Sequence, residues 1–193
     1  MSGKSYIKTV AVTMGDPAGI GPEITLKAIK YLIEKGKFDY SNFIIFGNRD
    51  LLFALNDKFS IFDKFDRINI IGAGRPVLRR FEPGAASRES GAASYSYIEK
   101  AVESIKSGAV SALVTAPISK EALGLAGINF SGHTEILQAL SSSEKVEMAF
   151  YGKYFNLLLL SRHLSLRDAI ARLDLNTVTR GIVNGARFMR SLF

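Results

Sequence analysis

Two short segments hold the chain's two histidines: Ser131-Gly132-His133-Thr134-Glu135 and, thirty residues later, Ser161-Arg162-His163-Leu164. Imidazole is the one side chain whose ordinary pKa lies near neutrality, so it can ligate a metal, donate to a phosphate or move a proton. His133 and Thr134 place an imidazole and a hydroxyl side by side at an expected helix start, where both can hydrogen-bond a phosphate or a polar substrate. His163 directly follows an apolar strand, a placement that suits a metal. A lone imidazole does not hold a cation, so further ligands must come from elsewhere. Spacing alone leaves a structural, hydrogen-bonded role open for either ring.

Two other segments have the grammar of a site. Gly15-Asp16-Pro17-Ala18-Gly19-Ile20-Gly21-Pro22-Glu23 is a glycine-rich loop between a strand and a helix, where backbone amides and a helix N-terminus can meet an anion or a substrate. It is not a Walker loop, because Pro22-Glu23 stand where Lys and Ser/Thr are needed, and the Gly-x-Gly-x-x-Gly dinucleotide spacing is absent. A tight turn that needs glycine only for its backbone explains it equally well. Thr115-Ala116-Pro117-Ile118-Ser119-Lys120 repeats the strand-to-helix logic: Ser119 can cap, and Lys120 either reaches an anion or is a solvated first-turn lysine.

The elements that must position these residues follow from periodicity. Lys8 to Thr13 is a short β-branched strand. Pro22 suits the first turn of a helix whose apolar face is Ile24, Ala28, Ile29, Leu32 and Ile33, ending at Gly36. Phe43–Phe46 reads as a strand, Asp50–Asn56 as a short helix and Arg67–Ile71 as a third strand. Arg75 to Gly91 reads as an irregular excursion, and helix resumes near Ala92 until Gly108. Ser111–Thr115 is another buried strand. Val146–Tyr151 and Phe155–Leu160 flank Gly152-Lys153 as a hairpin. Ser165 opens a helix with Asp168 in the place of a capping-box Glu, and Asn176 or Thr177 caps a last helix through Met189. Alternating strand and helix predicts an α/β fold with a mostly parallel sheet, helices on both faces, and ligands off the carboxyl ends of the strands.

Composition narrows the classes. With 193 residues, 47% of them hydrophobic, the chain can build a real core. The absence of cysteine excludes disulfides and thiolate metal sites and points to a cytoplasmic protein. No secretory leader is evident, and apolar runs such as Leu157–Leu160 are far too short to cross a bilayer, so no membrane partner is expected. Twenty-five basic against 18 acidic residues give a net charge of +7, which favours anionic partners. The charge is diffuse and not interleaved with aromatics, so nucleic acid is not expected.

In their order and spacing the four motifs, Gly-Asp-Pro-Ala-Gly-Ile-Gly-Pro-Glu at 15–23, Thr-Ala-Pro-Ile-Ser-Lys at 115–120, Ala-Gly-Ile-Asn-Phe-Ser-Gly-His-Thr-Glu at 126–135 and His-Leu-Ser-Leu-Arg at 163–167, resemble one family. It is the 4-hydroxythreonine-4-phosphate dehydrogenases of pyridoxal phosphate biosynthesis. The resemblance implies an isocitrate/isopropylmalate dehydrogenase-like fold, with residues 1–115 as a first α/β subdomain and 116–193 as part of a second, dimer-forming one. It implies oxidation of the secondary alcohol of 4-phosphohydroxy-L-threonine with NAD or NADP as cofactor, assisted by a divalent metal (Zn, Mg or Co), followed by decarboxylation to 3-amino-2-oxopropyl phosphate. His133 and Thr134 match the family's substrate-binding pair, and His163 matches the first of three metal-binding histidines assembled across a homodimer. Catalytic and cofactor-binding residues are not assigned by it.

Members of that family run well past residue 193, and the remaining metal and substrate ligands belong to that later part. The expectation is therefore an N-terminal portion that alone binds metal weakly and turns over little or not at all. Two alternatives remain: a dehydrogenase for another four-carbon phosphorylated hydroxy acid, such as threonate or erythronate 4-phosphate, or a non-catalytic remnant that serves as an interaction module. A generic phosphate-binding α/β domain is a third reading.

Overall fold

The computed structural model describes residues 9–36, 38–72, 81–143, 146–162 and 164–192. The chain divides into two compact units, Met1–Ser142 and Ser143–Phe193.

The first unit is built on four short parallel strands, β1 (Val10–Thr13), β2 (Phe43–Phe46), β3 (Asn69–Ile71) and β4 (Ala112–Thr115), in the order β3-β2-β1-β4. Val10 pairs with Phe43 on one side and Ala112 on the other, and Ile44 with Asn69. The central strands are apolar almost throughout, as strands covered on both faces must be. Flanking helices are α1 (Gly21–Glu34), α2 (Arg49–Phe59), α3 (Arg88–Lys106), α4 (Lys120–Leu125) and α5 (His133–Ser141). The second unit is an antiparallel hairpin, β5 (Met148–Tyr151) with β6 (Asn156–Leu159), followed by α6 (Leu166–Ala171) and α7 (Leu175–Leu192). No helix among the described residues is long and apolar enough to cross a membrane.

Local signals explain most boundaries. Pro22 fills the first turn of α1, where its missing N–H costs nothing. Asn48, Ser119 and Ser165 cap α2, α4 and α6 through side-chain oxygens that accept from Leu51, Ala122 and Asp168. Three expectations need correction. Of the excursion at Arg75–Gly91, residues 75–80 lie outside the described residues, and helix α3 begins at Arg88 rather than near Ala92. Ser87 and Ser90 form a reciprocal capping box there, each side chain accepting from the other's backbone N–H. The last helix is not capped by Asn176 or Thr177: the Asp174 carboxylate accepts from Thr177 N at 2.7 Å, and that bond holds its pKa below the usual carboxylate value. Asp168 does not complete a backbone capping box; its carboxylate accepts from the Ser165 hydroxyl at 2.7 Å.

Helix α3 organises the first unit because it is apolar on two sides. Ala93, Tyr97 and Ala101, four residues apart, join the core over the sheet, with Ala11, Ile45 and Phe46. Ile98 and Val102, one position on, turn to Leu123 of α4 and Ile136 of α5 in a second core. All four of these strand- and helix-borne anchors Ile45, Ile98, Leu123 and Ile136 are fully buried, and each such side chain contributes about 1.5–3 kcal/mol by leaving water. Contact between α3 and α4 depends on Gly91, where a Cβ would lie 1.9 Å from the Ala122 carbonyl oxygen. Gly91→Val must therefore push the helices apart. It is expected to lower the free energy of unfolding by about 1–3 kcal/mol or more, read as a lower urea midpoint with an unchanged slope. An unaltered midpoint would show that the two helices do not pack this closely.

Candidate functional site

The described candidate residues meet at the carboxyl ends of β1 and β4, the place where an open parallel sheet takes its ligands. From β1 the chain runs through Met14 into the glycine loop, and this loop is pressed onto the turn that leaves β4. Ala116 N donates to the Thr13 carbonyl at 3.0 Å, and Asp16 N to the Pro117 carbonyl at 2.9 Å. Two glycines make the approach possible. Gly15 has φ +74°, and a Cβ there would stand 2.2 Å from Pro117 O; a Cβ on Gly21 would stand 2.2 Å from Met14 O. No other residue type fits either position without displacing backbone.

Asp16 is buried, and its Oδ1 accepts from Ala18 N at 2.8 Å, while Gly19 N donates to the Asp16 carbonyl at 3.0 Å. The side chain thus closes the turn on itself. Gly84 N reaches over to the Ala18 carbonyl at 2.7 Å, tying the loop before α3 to the same turn. Beneath lies Tyr97, whose phenol is pushed far above its ordinary pKa by burial first and by the nearby Asp16 charge second, so it remains neutral.

His133 is the first residue of α5 and is partly buried. Burial pushes its pKa below 6.5, and the nearby Ala116 backbone opposes that shift less strongly. Its Nε2 is buried without a hydrogen-bond partner among the described residues. The preceding Gly132 is extended and offers no side chain to cap the helix, so acceptors for the first amides of α5 must come from elsewhere. Thr134 follows on the same first turn, also half-buried. The stretch before the site is supported by Phe130, whose ring stacks on Tyr95 of α3 at 6.3 Å and 7° between planes.

His133 and Thr134 are therefore brought to the same sheet edge as the glycine loop, with Ala116 between them. Lys120 is exposed at the start of α4, the disposition of a solvated first-turn lysine. His163 lies outside the described residues. Among the described residues no group of three or more His, Asp or Glu side chains is arranged to hold a metal ion. The part played by Ala116 and Asp16 was not legible in the sequence. Ala116 acts through a backbone that any residue has, and the one available signal for Asp16 was an Asp-Pro pair, the usual opening of a side-chain-closed turn.

This chain matches the family described as pyridoxal phosphate biosynthetic protein PdxA over residues 34–193. It is 34% identical over 185 residues to the D-threonate 4-phosphate dehydrogenase of Pectobacterium atrosepticum, covering 89% of this chain and 56% of the relative. It is also 34% identical over 170 residues to the 4-hydroxythreonine-4-phosphate dehydrogenase of Synechocystis, covering 81% and 48%. The chain spans about half the length of the curated relatives it matches. Among solved structures, the 4-hydroxythreonine-4-phosphate dehydrogenase from Klebsiella pneumoniae superposes with a TM-score of 0.80 at 30% identity, covering 97% of this chain and 60% of that one. The enzyme of the same name from Burkholderia phymatum gives 0.78 at 26%, with 94% and 58% covered. The fold is thus the isocitrate/isopropylmalate dehydrogenase type that these dehydrogenases share, and the chain belongs to the pyridoxal phosphate biosynthetic protein PdxA family.

Proposed function

We propose that this chain supplies the substrate-gripping surface of an NAD(P)-dependent dehydrogenase for a four-carbon acid bearing a 4-phosphate and a secondary alcohol. One observation carries the reading: a buried, unpartnered imidazole nitrogen beside a threonine hydroxyl, at the start of a helix that has no side-chain cap. A buried acceptor or donor left without a partner is costly unless a ligand completes it.

The protonation state gives the pair a division of labour. Below its ordinary pKa, His133 is neutral at pH 7 and has a single N–H. A neutral ring has one N–H and one bare nitrogen, so the buried, unpartnered Nε2 suits a substrate hydroxyl, which can both donate and accept, better than a phosphate dianion. The Thr134 hydroxyl and the first amides of α5 are donors, placed at the positive end of a helix, and take the anionic end of the substrate. A bound nicotinamide would supply the hydride acceptor for oxidation of the alcohol to a ketone, and the resulting β-keto acid would be able to lose carbon dioxide.

4-Phosphohydroxy-L-threonine and D-threonate 4-phosphate both meet these requirements, since they share the phosphate and the secondary alcohol. The Pectobacterium relative is named for the second, the Synechocystis relative for the first. In the same reading residues 1–115 form the first subdomain and 116–193 belong to the second, dimer-forming one, and His163 is one ligand of a divalent metal.

Three outcomes test this. His133→Ala and Thr134→Ala are each expected to weaken binding of D-threonate 4-phosphate or 4-phosphohydroxy-L-threonine about 10-fold or more, measured by calorimetry. His133→Ala on its own leaving both affinities unaltered would remove the foundation of the proposal. By NMR, the His133 ring is expected to titrate below pH 6.5 and to stay low when substrate binds, because the neutral ring is the form that accepts from the hydroxyl. A midpoint that rises past 7 on binding would instead assign the phosphate to an imidazolium. The folded-state pKa lies below the unfolded value, so this group's contribution to stability is full above pH 6.5 and is lost as pH falls through 6.5 toward the folded midpoint. Lastly, two histidines and no cysteine make a poor cage for a cation. The 193-residue chain is expected to bind Zn or Mg weakly in calorimetry and to reduce NAD or NADP negligibly, and His163→Ala should abolish what metal binding there is.

A further inference from the structure

We propose that Arg162 is an anion-binding residue, its guanidinium taking an oxygen of the carboxylate or of the phosphate of the four-carbon acid. The class of ligand rests on the function proposed above; the contact itself belongs to the second unit.

Nη1 of Arg162 is buried and has no hydrogen-bond partner among the described residues, and the ion pairs formed among them do not include it. A guanidinium stays charged at any working pH and its N–H groups only donate, so loss of a proton cannot relieve the burial. Leaving such a donor dry and unmatched costs more than leaving a neutral one, and an acceptor is what removes the cost. The described carboxylates of the second unit are engaged elsewhere. Glu147 accepts from Asn184 Nδ2 at 2.9 Å, Asp168 from the Ser165 hydroxyl at 2.7 Å and Asp174 from Thr177 N at 2.7 Å. The backbone that carries Arg162 is also held from two sides. Leu159 pairs with Met148 across the hairpin. Leu160 packs so closely on α7 that a Cβ on Gly181 would lie 2.0 Å from its Cδ2, and one turn on a Cβ at Gly185 would lie 3.3 Å from Leu158 Cδ2. Two glycines four residues apart thus clamp the end of β6 just before Arg162. A donor fixed before its ligand arrives loses little freedom on binding. The planar fork of a guanidinium matches carboxylate and phosphate oxygens, and D-threonate 4-phosphate has both groups.

Two variants of the full 193-residue chain test this. Arg162→Met keeps the apolar reach without the donors, and Arg162→Lys keeps the charge without the fork. In calorimetry with D-threonate 4-phosphate, Arg162→Met is expected to bind about 10-fold more weakly or worse, and Arg162→Lys to lose less. Urea unfolding of the ligand-free chain supplies a readout that a structural role would not share: Arg162→Met should unfold at the parental midpoint or higher, because it removes an unmatched charge. A lowered midpoint would reveal a partner within the fold and overturns the proposal; parental affinity of Arg162→Met overturns it as well. Competition by D-threonate and by inorganic phosphate locates the oxygen. Weakening of D-threonate by Arg162→Met assigns the carboxylate, weakening of inorganic phosphate assigns the phosphate, and weakening of neither overturns the contact. A parent chain that binds none of the three anions overturns it too. If Arg162→Met loses affinity while His133→Ala does not, the Arg162 contact stands and the reading of His133 is what fails.

Discussion

The turn that leaves β4 is the constraint on which the site depends. Two consecutive residues, Ala116 and Pro117, are bonded to β1 and to the glycine loop, and Ala116 lies near the first residue of α5. Backbone groups buried at a strand end must find partners, and here the partners are the segments that carry the chemistry. The demand for so close a packing explains residue choice better than any ligand does: Gly15 and Gly21 are required by Pro117 O and Met14 O before a substrate is considered. A loop already required by the fold can still present amides to a ligand, so the two explanations of the glycine loop are compatible rather than rival.

Helix α3 supplies the second constraint. Successive residues Tyr97 and Ile98 point about 100° apart on a helix, one into the core over the sheet and the other into the core under α4 and α5. Placing α5 is thus a packing problem solved by Ile98, Val102, Leu123 and Ile136, all buried. Ile136 lies three residues after His133, close to one turn of helix, so the anchor of α5 and the ring it carries are mechanically one piece. A site borne on such an anchored helix start holds its geometry better than one on a free loop.

Much of this was legible in the sequence, for physical reasons. Continuous β-branched and apolar runs such as Phe43–Phe46 belong to strands covered on both faces, and they were found at the expected positions. Ser119 and Ser165 act locally, through bonds to residues three away, and Pro22 acts through its own fixed backbone, so their neighbours in sequence are enough to place them. What was not legible is long-range or unspecific. Ser87 with Ser90 makes a capping box without the usual Glu or Gln, so the start of α3 was read four residues late. Asp39 and Asn42 do the same for the 3₁₀ turn at Tyr40–Asn42, which has no apolar period to reveal it. The Ala116 backbone has no sequence signature, because every residue has one. His133 and Thr134 were recognisable as a pair, whereas the neutrality of the ring follows from burial that only the fold determines.

In the proposed function that neutrality bears on how a basic chain would recognise an anionic substrate. A net charge of +7 spread over the surface raises the rate of encounter with phosphorylated acids but selects poorly among them. At the start of α5 the groups on offer are a hydroxyl, a helix N-terminus and an unpartnered imidazole nitrogen. Neutral donors and acceptors bind less tightly than an ion pair in water, yet each demands a definite direction. A site that must distinguish the carbon bearing the alcohol from the one bearing the phosphate gains more from direction than from charge. Leaving a buried Nε2 unmatched costs about 1–3 kcal/mol, which a substrate lacking the hydroxyl cannot recover. Discrimination of this kind survives high salt, because it does not rest on screened charges. In the proposed function the diffuse positive surface and the neutral site would be complementary: one would bring anions in, and the other would choose among them by where they present a hydroxyl.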